Sequence, residues 1–296
     1  MTIHPLLVAA ALAMASVGGA SIPASADGHS DLPTRTLDGL EGPRAGRGIA
    51  NVPIANEPLV DEGILSLPGY NLRTRSWTIS GEGGVVPIHS HADRPAIVYT
   101  LAGEIYEYRS DADDRILHGA GGLSLEEGAI THWWLNEGPE EVRLIAFDVF
   151  NAGGDDMTMR ATPVSQPLDL PEASGADLEL LGFVDIGAHY DGAQGAGLVL
   201  STYRATLAPG GVLPSFVDAG EPLQVWVWRG AVTEYRSDTE GPTTLAAEEG
   251  AHVGGGARAY WQNDGETEAE LFFGVVEPFE EVEGVPVVGI MAHHGE

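Results

Sequence analysis

The chain has 296 residues, with 44 acidic and 14 basic side chains and a formal net charge of −30 at pH 7. It contains no cysteine, and all of its basic residues are arginine. These features exclude thiol nucleophiles, thiolate metal sites, disulfides and lysine Schiff bases, and the charge argues against binding to nucleic acid or to anionic lipid.

An apolar, alanine-rich run opens the chain from Leu6 to Ala20, and the small-residue motif Ala24-Ser25-Ala26 follows it. The pattern is typical of a secretory signal peptide, although the usual basic residue near the start is missing. We therefore predict a signal peptide at residues 1–26, a periplasmic or extracellular mature protein, and no membrane contact after cleavage. Residues 27–59 are rich in glycine, proline and aspartate and are predicted to form an extended N-terminal arm.

An internal repeat organises the rest of the chain. The segment GGVVPIHSHADRPAIVYTLAGEIYEYRSD begins at Gly83, and GGVLPSFVDAGEPLQVWVWRGAVTEYRSD begins at Gly210, 127 positions later. Many residues are identical without a gap, which indicates two copies of one unit. The motif Glu126-Glu127-Gly128 matches Glu248-Glu249-Gly250 at offset 122, which predicts a five-residue shift within one hairpin.

The repeat predicts two β domains, at residues 60–155 and 180–280, joined by a linker at 156–179 and followed by a C-terminal tail at 281–296. Short apolar runs separated by glycine- and aspartate-bearing turns favour an all-β fold of antiparallel barrels or jelly rolls. These runs are Ala96–Leu101, Val142–Phe150, Val225–Trp228 and Leu271–Val276.

Three histidines in the first copy have the spacing of metal ligands. His89 and His91 are two residues apart at the start of a predicted strand, so both imidazoles lie on one face. His132 begins another predicted strand, on which Trp134 and Asn136 share its face. Three imidazoles can occupy three positions around a divalent ion and leave others open, as catalytic sites do.

These motifs resemble a known family. Gly84-Val85-Val86-Pro87-Ile88-His89-Ser90-His91 with Gly103 after it, and Gly128-x-x-x-His132-x-x-x-Asn136, are similar to the two motifs of the cupin superfamily. Both copies together resemble a bicupin, and the resemblance covers most of the mature chain. It implies two tandem cupin-type jelly-roll β-barrels, with a metal held inside the N-terminal barrel by His89, His91 and His132.

Two departures from the family pattern affect the site. Cupins commonly have a glutamate ligand four or five positions after the second histidine, where this chain has Pro95 and Ala96. A metal would then be held by three neutral imidazoles, unless Asp93 or Glu104 substitutes. In the second copy, the positions of the three histidines are occupied by Phe216, Asp218 and Ala259, so the C-terminal barrel is expected to be degenerate.

Four further residues are substrate-pocket candidates, each with a structural alternative. Arg94 would attract a carboxylate or lie in a solvated turn; Trp134 and Tyr99 would line the pocket or belong to the core; Asn136 would orient a ligand or close a turn. Five further histidines are predicted to lie at the surface: His118, His189, His252, His293 and His294. The repeated Glu-Tyr-Arg-Ser-Asp motif, at Glu107–Asp111 and Glu234–Asp238, is predicted to be structural because it survives in both copies.

The resulting hypothesis is a secreted, metal-dependent cupin enzyme that carries out O₂-dependent oxidation of the dioxygenase type on a small, chelating, anionic substrate. One divalent ion is expected, with Fe(II) favoured and Mn, Ni, Zn or Cu also compatible. The alternatives are a Lewis-acid lyase, isomerase or hydrolase at the same site, or a bicupin that only binds or senses a small ligand. A homodimer is also compatible with the sequence, and the substrate and the catalytic residues are not predicted.

Overall fold

The fold is described from a computed structural model at residues 31–59, 67, 69–152, 166–187, 197–217, 221–254, 256–282 and 285–288. These residues form twenty β-strands and no α-helix, which confirms the all-β prediction. The described part of the chain has no helix with the length and apolarity needed to cross a membrane. The predicted signal peptide lies outside the described residues, so export stays a prediction.

The N-terminal barrel consists of two antiparallel sheets that face each other, preceded by a hairpin. Its strands are β1 (Thr34–Leu37), β2 (Leu40–Pro43), β3 (Ile49–Pro58), β4 (Tyr70–Ile79), β5 (Gly84–Ser90), β6 (Ala96–Ala102), β7 (Glu104–Arg109), β8 (Ile116–Gly119), β9 (Leu123–Glu126), β10 (Thr131–Asn136) and β11 (Val142–Asn151). One sheet has the order β3-β4-β11-β6-β9, and the other has the order β5-β10-β7-β8.

The C-terminal barrel repeats this strand order. Its strands are β12 (Ser174–Asp185), β13 (Leu198–Pro214), β14 (Leu223–Arg229), β15 (Ala231–Arg236), β16 (Thr243–Ala246), β17 (Gly250–Val253), β18 (Ala259–Gln262), β19 (Ala269–Val282) and β20 (Val285–Val288). The long strand β13 takes the places of both β4 and β5, pairing with β19 in one part and with β18 near its end. The two halves are therefore tandem jelly-roll barrels, as predicted.

Strand register corrects one detail of the repeat. Strand β6 pairs Ala96 with Glu126 on β9, and β14 pairs Leu223 with Val253 on β17. The counterpart of Glu126 is therefore Val253, at offset 127, and the predicted five-residue shift is wrong. The glutamates at 248 and 249 precede β17, so their match to the end of β9 in sequence is not a match in structure.

Regular structure extends into segments predicted to lie outside the barrels. Strand β3 of the predicted arm pairs with β4 along its length, β12 begins within the predicted linker, and β19 ends inside the predicted tail. In each case hydrogen bonds to a neighbouring strand satisfy the backbone N–H and C=O groups of the segment. The domain boundaries themselves stay predictions.

Strands β6 and β11 of the five-stranded sheet are buried on both faces, which is why their sequences are continuous apolar runs. On β11, Leu144 and Ala146 face the interior of the N-terminal barrel, whereas Ile145, Phe147 and Val149 face the C-terminal barrel. The inter-barrel core places β3 against β17, β12 against β9, β4 against β14, and β6 against β13. The barrels thus pack through their sheets and leave each interior separate.

The hairpin β1–β2 covers the outside of the strands that carry the three histidines. Arg35 Nη2 donates to the carbonyl of Ile88 at 2.6 Å, and Thr131 Oγ1 donates to Asp38 at 2.5 Å. The backbone at Gly42 packs directly against the Trp133 ring. A Cβ at this position would be only 2.5 Å from Trp133 Cδ1, so no larger residue fits without a shift. The N-terminal segment therefore supports the strands of the candidate site from behind.

Candidate metal centre

The three predicted ligands lie together inside the N-terminal barrel. His89 is the last residue but one of strand β5 and His91 follows the strand directly, so the pair lies at the end of a strand and not at its start as predicted. His132 lies on β10, where it pairs with His89. The ring centroids are 5.0 Å apart for His89 and His91, 4.5 Å for His89 and His132, and 4.8 Å for His91 and His132. Strand alternation and the β5–β10 pairing bring the rings to one point in the barrel interior.

Hydrogen bonds at Nδ1 fix which nitrogen of each ring is available. His89 Nδ1 lies 2.9 Å from the Pro87 carbonyl, His91 Nδ1 lies 2.6 Å from the Arg94 carbonyl, and His132 Nδ1 lies 2.5 Å from Glu107 Oε1. Because these partners are acceptors, each Nδ1 carries the proton and each Nε2 presents a lone pair. The Nε2 atoms of His89 and His132 face each other at 3.1 Å, an arrangement that a shared cation stabilises.

Burial keeps two of the rings neutral. Desolvation, helped by the neighbouring imidazoles and arginines, lowers the pKa of His89 to about 3 and the pKa of His91 well below its usual value. Desolvation acts the same way on His132, but Glu126 and Glu107 outweigh it and raise the pKa of that ring. Neutral imidazole is the form that binds metals, so the donor set fits a divalent ion.

Glu107 holds His132 and is held in turn by buried polar groups. Its Oε2 accepts hydrogen bonds from His118 Nε2 at 2.8 Å and from Ser124 Oγ at 3.0 Å. Burial alone would raise the pKa of Glu107, but the bonds from His118 and His132 lower it to about 2. Glu107 is therefore a carboxylate that orients a candidate ligand, a role commonly conserved around metal centres.

The structure corrects the prediction of a surface location for two histidines. His118 is buried at this carboxylate, not at the surface, because β8 faces it toward the barrel interior. His252 is also buried, and His189, His293 and His294 lie outside the described residues. The Glu-Tyr-Arg-Ser-Asp motif does form the same Arg–Asp ion pair in both copies, but its glutamate differs: Glu234 accepts from Trp261 Nε1 at 3.0 Å.

The Glu107→Gln substitution is expected to weaken metal binding roughly 10- to 100-fold, since it removes the charge that orients and polarises His132. The matched substitution Glu234→Gln changes the equivalent glutamate of the other barrel and should leave the metal dissociation constant unchanged. Competition titration against a chromophoric chelator measures both constants. Equal metal affinities in the two variants would contradict this role for Glu107.

Sequence reasoning missed a second carboxylate at the site. Glu126, at the end of β9, is buried, and its Oε2 lies 3.0 Å from His91 Nε2. Burial raises the pKa of Glu126 to about 7, although His132 opposes the shift. Asp93 and Glu104, which were considered as substitutes for the missing family glutamate, are exposed and belong to neither described group of ligand side chains. Only the β6–β9 register, which local sequence does not encode, points to Glu126.

An arginine cluster lies beside the histidines, with Arg73 and Arg75 on β4 of the facing sheet and Arg94 in the turn before β6. Asp148 accepts from Arg73 at 2.7 and 2.9 Å and from Arg75 at 2.8 Å, and Arg94 Nε lies 3.9 Å from the same carboxylate. The buried Nε atoms of Arg75 and Arg94 have no hydrogen-bond partner among the described residues. Three guanidinium groups around one carboxylate leave excess positive charge next to the site, and this is where the pocket candidate Arg94 lies.

The other three pocket candidates differ in their distance from the histidines. Trp134 is buried on β10 and lies edge-on to His132, with ring centroids 5.9 Å apart, so it walls the site while also packing in the barrel core. Tyr99 is on the opposite face of β6, in the inter-barrel core, where its ring contacts Phe272. Asn136 donates to the carbonyls of Ile79, Ser80 and Glu140 and so closes the turns at the barrel end. The structure therefore brings Arg94 and Trp134 to the site, but not Tyr99 or Asn136.

The C-terminal barrel has no equivalent donor set among its described residues. Phe216, at the position of His89, packs against Tyr203 and Phe273, and Ala259 replaces His132. Asp218 lies outside the described residues. An apolar core therefore fills the space that the histidines occupy in the first barrel.

Comparisons with known proteins give only distant similarities. No protein-family model matches the chain, and no curated protein matches it. Among solved structures, salicylate 1,2-dioxygenase from Pseudoaminobacter salicylatoxidans is 15% identical, with a TM-score of 0.47 over 76% of this chain and 72% of that one. Oxalate decarboxylase from Lactobacillus farciminis is 14% identical, with a TM-score of 0.47 over 75% and 85% of the two chains. A vicilin from Solanum melongena is 10% identical, with a TM-score of 0.49 over 70% and 75%.

Similarity at this level transfers no activity to the present chain. The class of protein follows from its own features: two tandem jelly-roll barrels with the same strand order, one of which encloses a histidine cluster, form a fold of the bicupin type. Its N-terminal barrel contains side chains that could hold a metal ion.

Proposed function

We propose that this protein is a metal-dependent enzyme that uses dioxygen to oxidise a small anionic substrate at the histidine cluster of its N-terminal barrel. The observation that carries the proposal is the convergence of three Nε2 lone pairs, each fixed by a hydrogen bond at Nδ1, beside an excess of arginine. A donor set of neutral imidazoles with open positions suits Fe(II) best among the metals considered, because iron can bind a substrate and dioxygen together.

The chain's own residues have distinct roles in this proposal. His89, His91 and His132 hold the ion, and Glu107 fixes the orientation of His132. The unpartnered Nε atoms of Arg75 and Arg94 are available to an anionic oxygen of the substrate, which a buried guanidinium binds more strongly than an exposed one does. Trp134 and the surrounding apolar residues exclude water from the same space.

A second candidate is Lewis-acid chemistry without dioxygen, as in lyases, isomerases or hydrolases. The specific observation in its favour is Glu126, a buried carboxyl group whose Oε2 lies 3.0 Å from His91 Nε2 and is therefore placed to exchange a proton with a substrate bound at the histidines. The proposed oxidation and this alternative use the same histidines, so they are distinguished by their dependence on dioxygen.

The test is dioxygen consumption by protein loaded with Fe(II) under anaerobic conditions and then offered a panel of hydroxybenzoates, 2-oxo acids and dicarboxylates. We expect uptake with one substrate class, incorporation of isotopically labelled dioxygen into the product, and no uptake by a His132→Ala protein treated identically. Product formation without dioxygen would overturn the oxidation proposal in favour of Lewis-acid chemistry. A compound that raises the thermal stability of the wild-type and His132→Ala proteins equally, and that neither protein converts, would favour the hypothesis of a binding protein.

A further inference from the structure

A carboxylate on an unexpected strand lies where the donor set of this site is incomplete. The sequence has no acidic residue at positions 95 and 96, where the family pattern has a glutamate. In the structure, Ala96 on β6 pairs directly with Glu126 on β9. Side chains at paired positions share a face of the sheet and have Cβ atoms about 5 Å apart. Because the side chain of Ala96 is small, the Glu126 side chain can occupy the space beside it.

We infer that Glu126 is a fourth metal ligand, supplied from β9 across the strand pair in place of a carboxylate on β6. The inference rests on the proposed metal site and concerns which residues form it. Glu126 would bind through Oε2, the oxygen that lies closest to His91 Nε2.

Two donor separations, one between Glu126 and His91 and one between His89 and His132, match coordination around one ion. Two ligand atoms at about 2.1 Å from a metal and at a right angle to each other are about 3.0 Å apart. Glu126 Oε2 and His91 Nε2 are 3.0 Å apart, and His132 Nε2 and His89 Nε2 are 3.1 Å apart. The other oxygen, Oε1, is buried, has no hydrogen-bond partner in the part of the chain that the structure describes, and lies 3.7 Å from His132 Nδ1. A buried carboxylate with so few hydrogen bonds is costly unless a cation compensates it.

The degenerate barrel separates ligands from structural residues. At the equivalent positions His89 becomes Phe216, His132 becomes Ala259, and Glu126 becomes Val253, which pairs with Leu223 as Glu126 pairs with Ala96. Glu107, in contrast, is retained as Glu234 and stays buried. Glu126 is therefore absent together with the histidines, as expected of a residue needed only when a metal is bound.

A fourth, anionic ligand changes the properties of the centre. A divalent ion with three imidazoles keeps a charge of +2, and the carboxylate reduces it to +1. An octahedral ion then has two open positions instead of three. The arginines next to the site, rather than the metal charge alone, become the main attraction for an anionic substrate.

The test compares metal affinity in three variants of the full-length protein, with Co(II) as the probe. Glu126→Gln should weaken Co(II) binding by about 100-fold or more, because loss of a charged ligand should exceed the 10- to 100-fold effect of losing an outer partner. The double substitution Ala96→Glu with Glu126→Ala returns a carboxylate to the same space from β6 and should restore most of the affinity. The control Glu234→Gln should bind as the wild type does.

The visible absorption of bound Co(II) provides a second measurement that is independent of activity. Its bands should change in Glu126→Gln and return toward the wild-type spectrum in the double variant. Wild-type affinity and an unchanged spectrum in Glu126→Gln would overturn the ligand role while leaving the three-histidine site intact. Failure of the wild-type protein itself to bind a divalent ion would overturn the metal centre as a whole.

Discussion

The His89→Ala protein is expected to fold but to lose its tightly bound divalent ion. Loss of a residue that only hydrogen-bonds to a metal ligand typically weakens metal affinity 10- to 100-fold. Removing one of the three converging Nε2 donors should weaken it further. Burial lowers the pKa of His89 to about 3. The wild-type ring is therefore neutral above about pH 5, where protons compete little with a metal ion for its nitrogen. Elemental analysis of the purified protein and chelator competition measure the loss.

The second barrel supplies the matched control. Phe216→Ala changes the equivalent position and should leave metal content unchanged while lowering stability, since Phe216 packs against Tyr203 and Phe273. The two substitutions are therefore expected to separate metal binding from folding. If His89→Ala retained a full equivalent of metal, the site would have to lie elsewhere.

The Phe147→Ala substitution is expected to lower the free energy of unfolding by about 3–5 kcal/mol. Phe147 is fully buried in the inter-barrel core, where its ring covers Gly274; a Cβ at that glycine would be 2.2 Å from Phe147 Cδ1. Truncation would leave a cavity between two sheets that cannot easily close, because each sheet is fixed by its own barrel. Urea unfolding followed by circular dichroism measures the change.

A surface substitution sets the baseline for this measurement. Leu117, on β8, is 49% exposed, and Leu117→Ala should change stability by no more than about 0.5 kcal/mol. Similar values for the two variants would mean that the inter-barrel core contributes little to folding.

The fold was accessible from sequence because two kinds of signal agreed. The repeat at offset 127 divides the chain into equivalent halves, and short apolar runs such as Ala96–Leu101 lie within the observed strands. The histidine cluster was accessible for a similar reason: His89 and His91 are two residues apart at the end of one strand, and the resemblance to the cupin motifs indicated that His132 joins them.

The rest of the site depends on which strands are neighbours, and local sequence does not determine that. Glu126 reaches the histidines only because β9 pairs with β6, and His118 is buried only because β8 pairs with β7. Sequence alone leaves Tyr99 as either a pocket or a core residue, because nothing on β6 shows which face is the interior. Once Glu126 is seen opposite Ala96, alternation puts Tyr99 on the other face, toward the second barrel.

The packing between the barrels has a symmetry that bears on the protein's history. The contact of β3 with β17 repeats as that of β12 with β9, and the contact of β4 with β14 repeats as that of β13 with β6. Reciprocal contacts of this kind, in which each half uses the same surface to bind the other, are typical of a two-fold symmetric dimer. Here one chain carries both protomers, so their association does not depend on concentration. A barrel that has lost its ligands can then be kept as a permanent partner, because it binds its neighbour through the faces that the metal site never used.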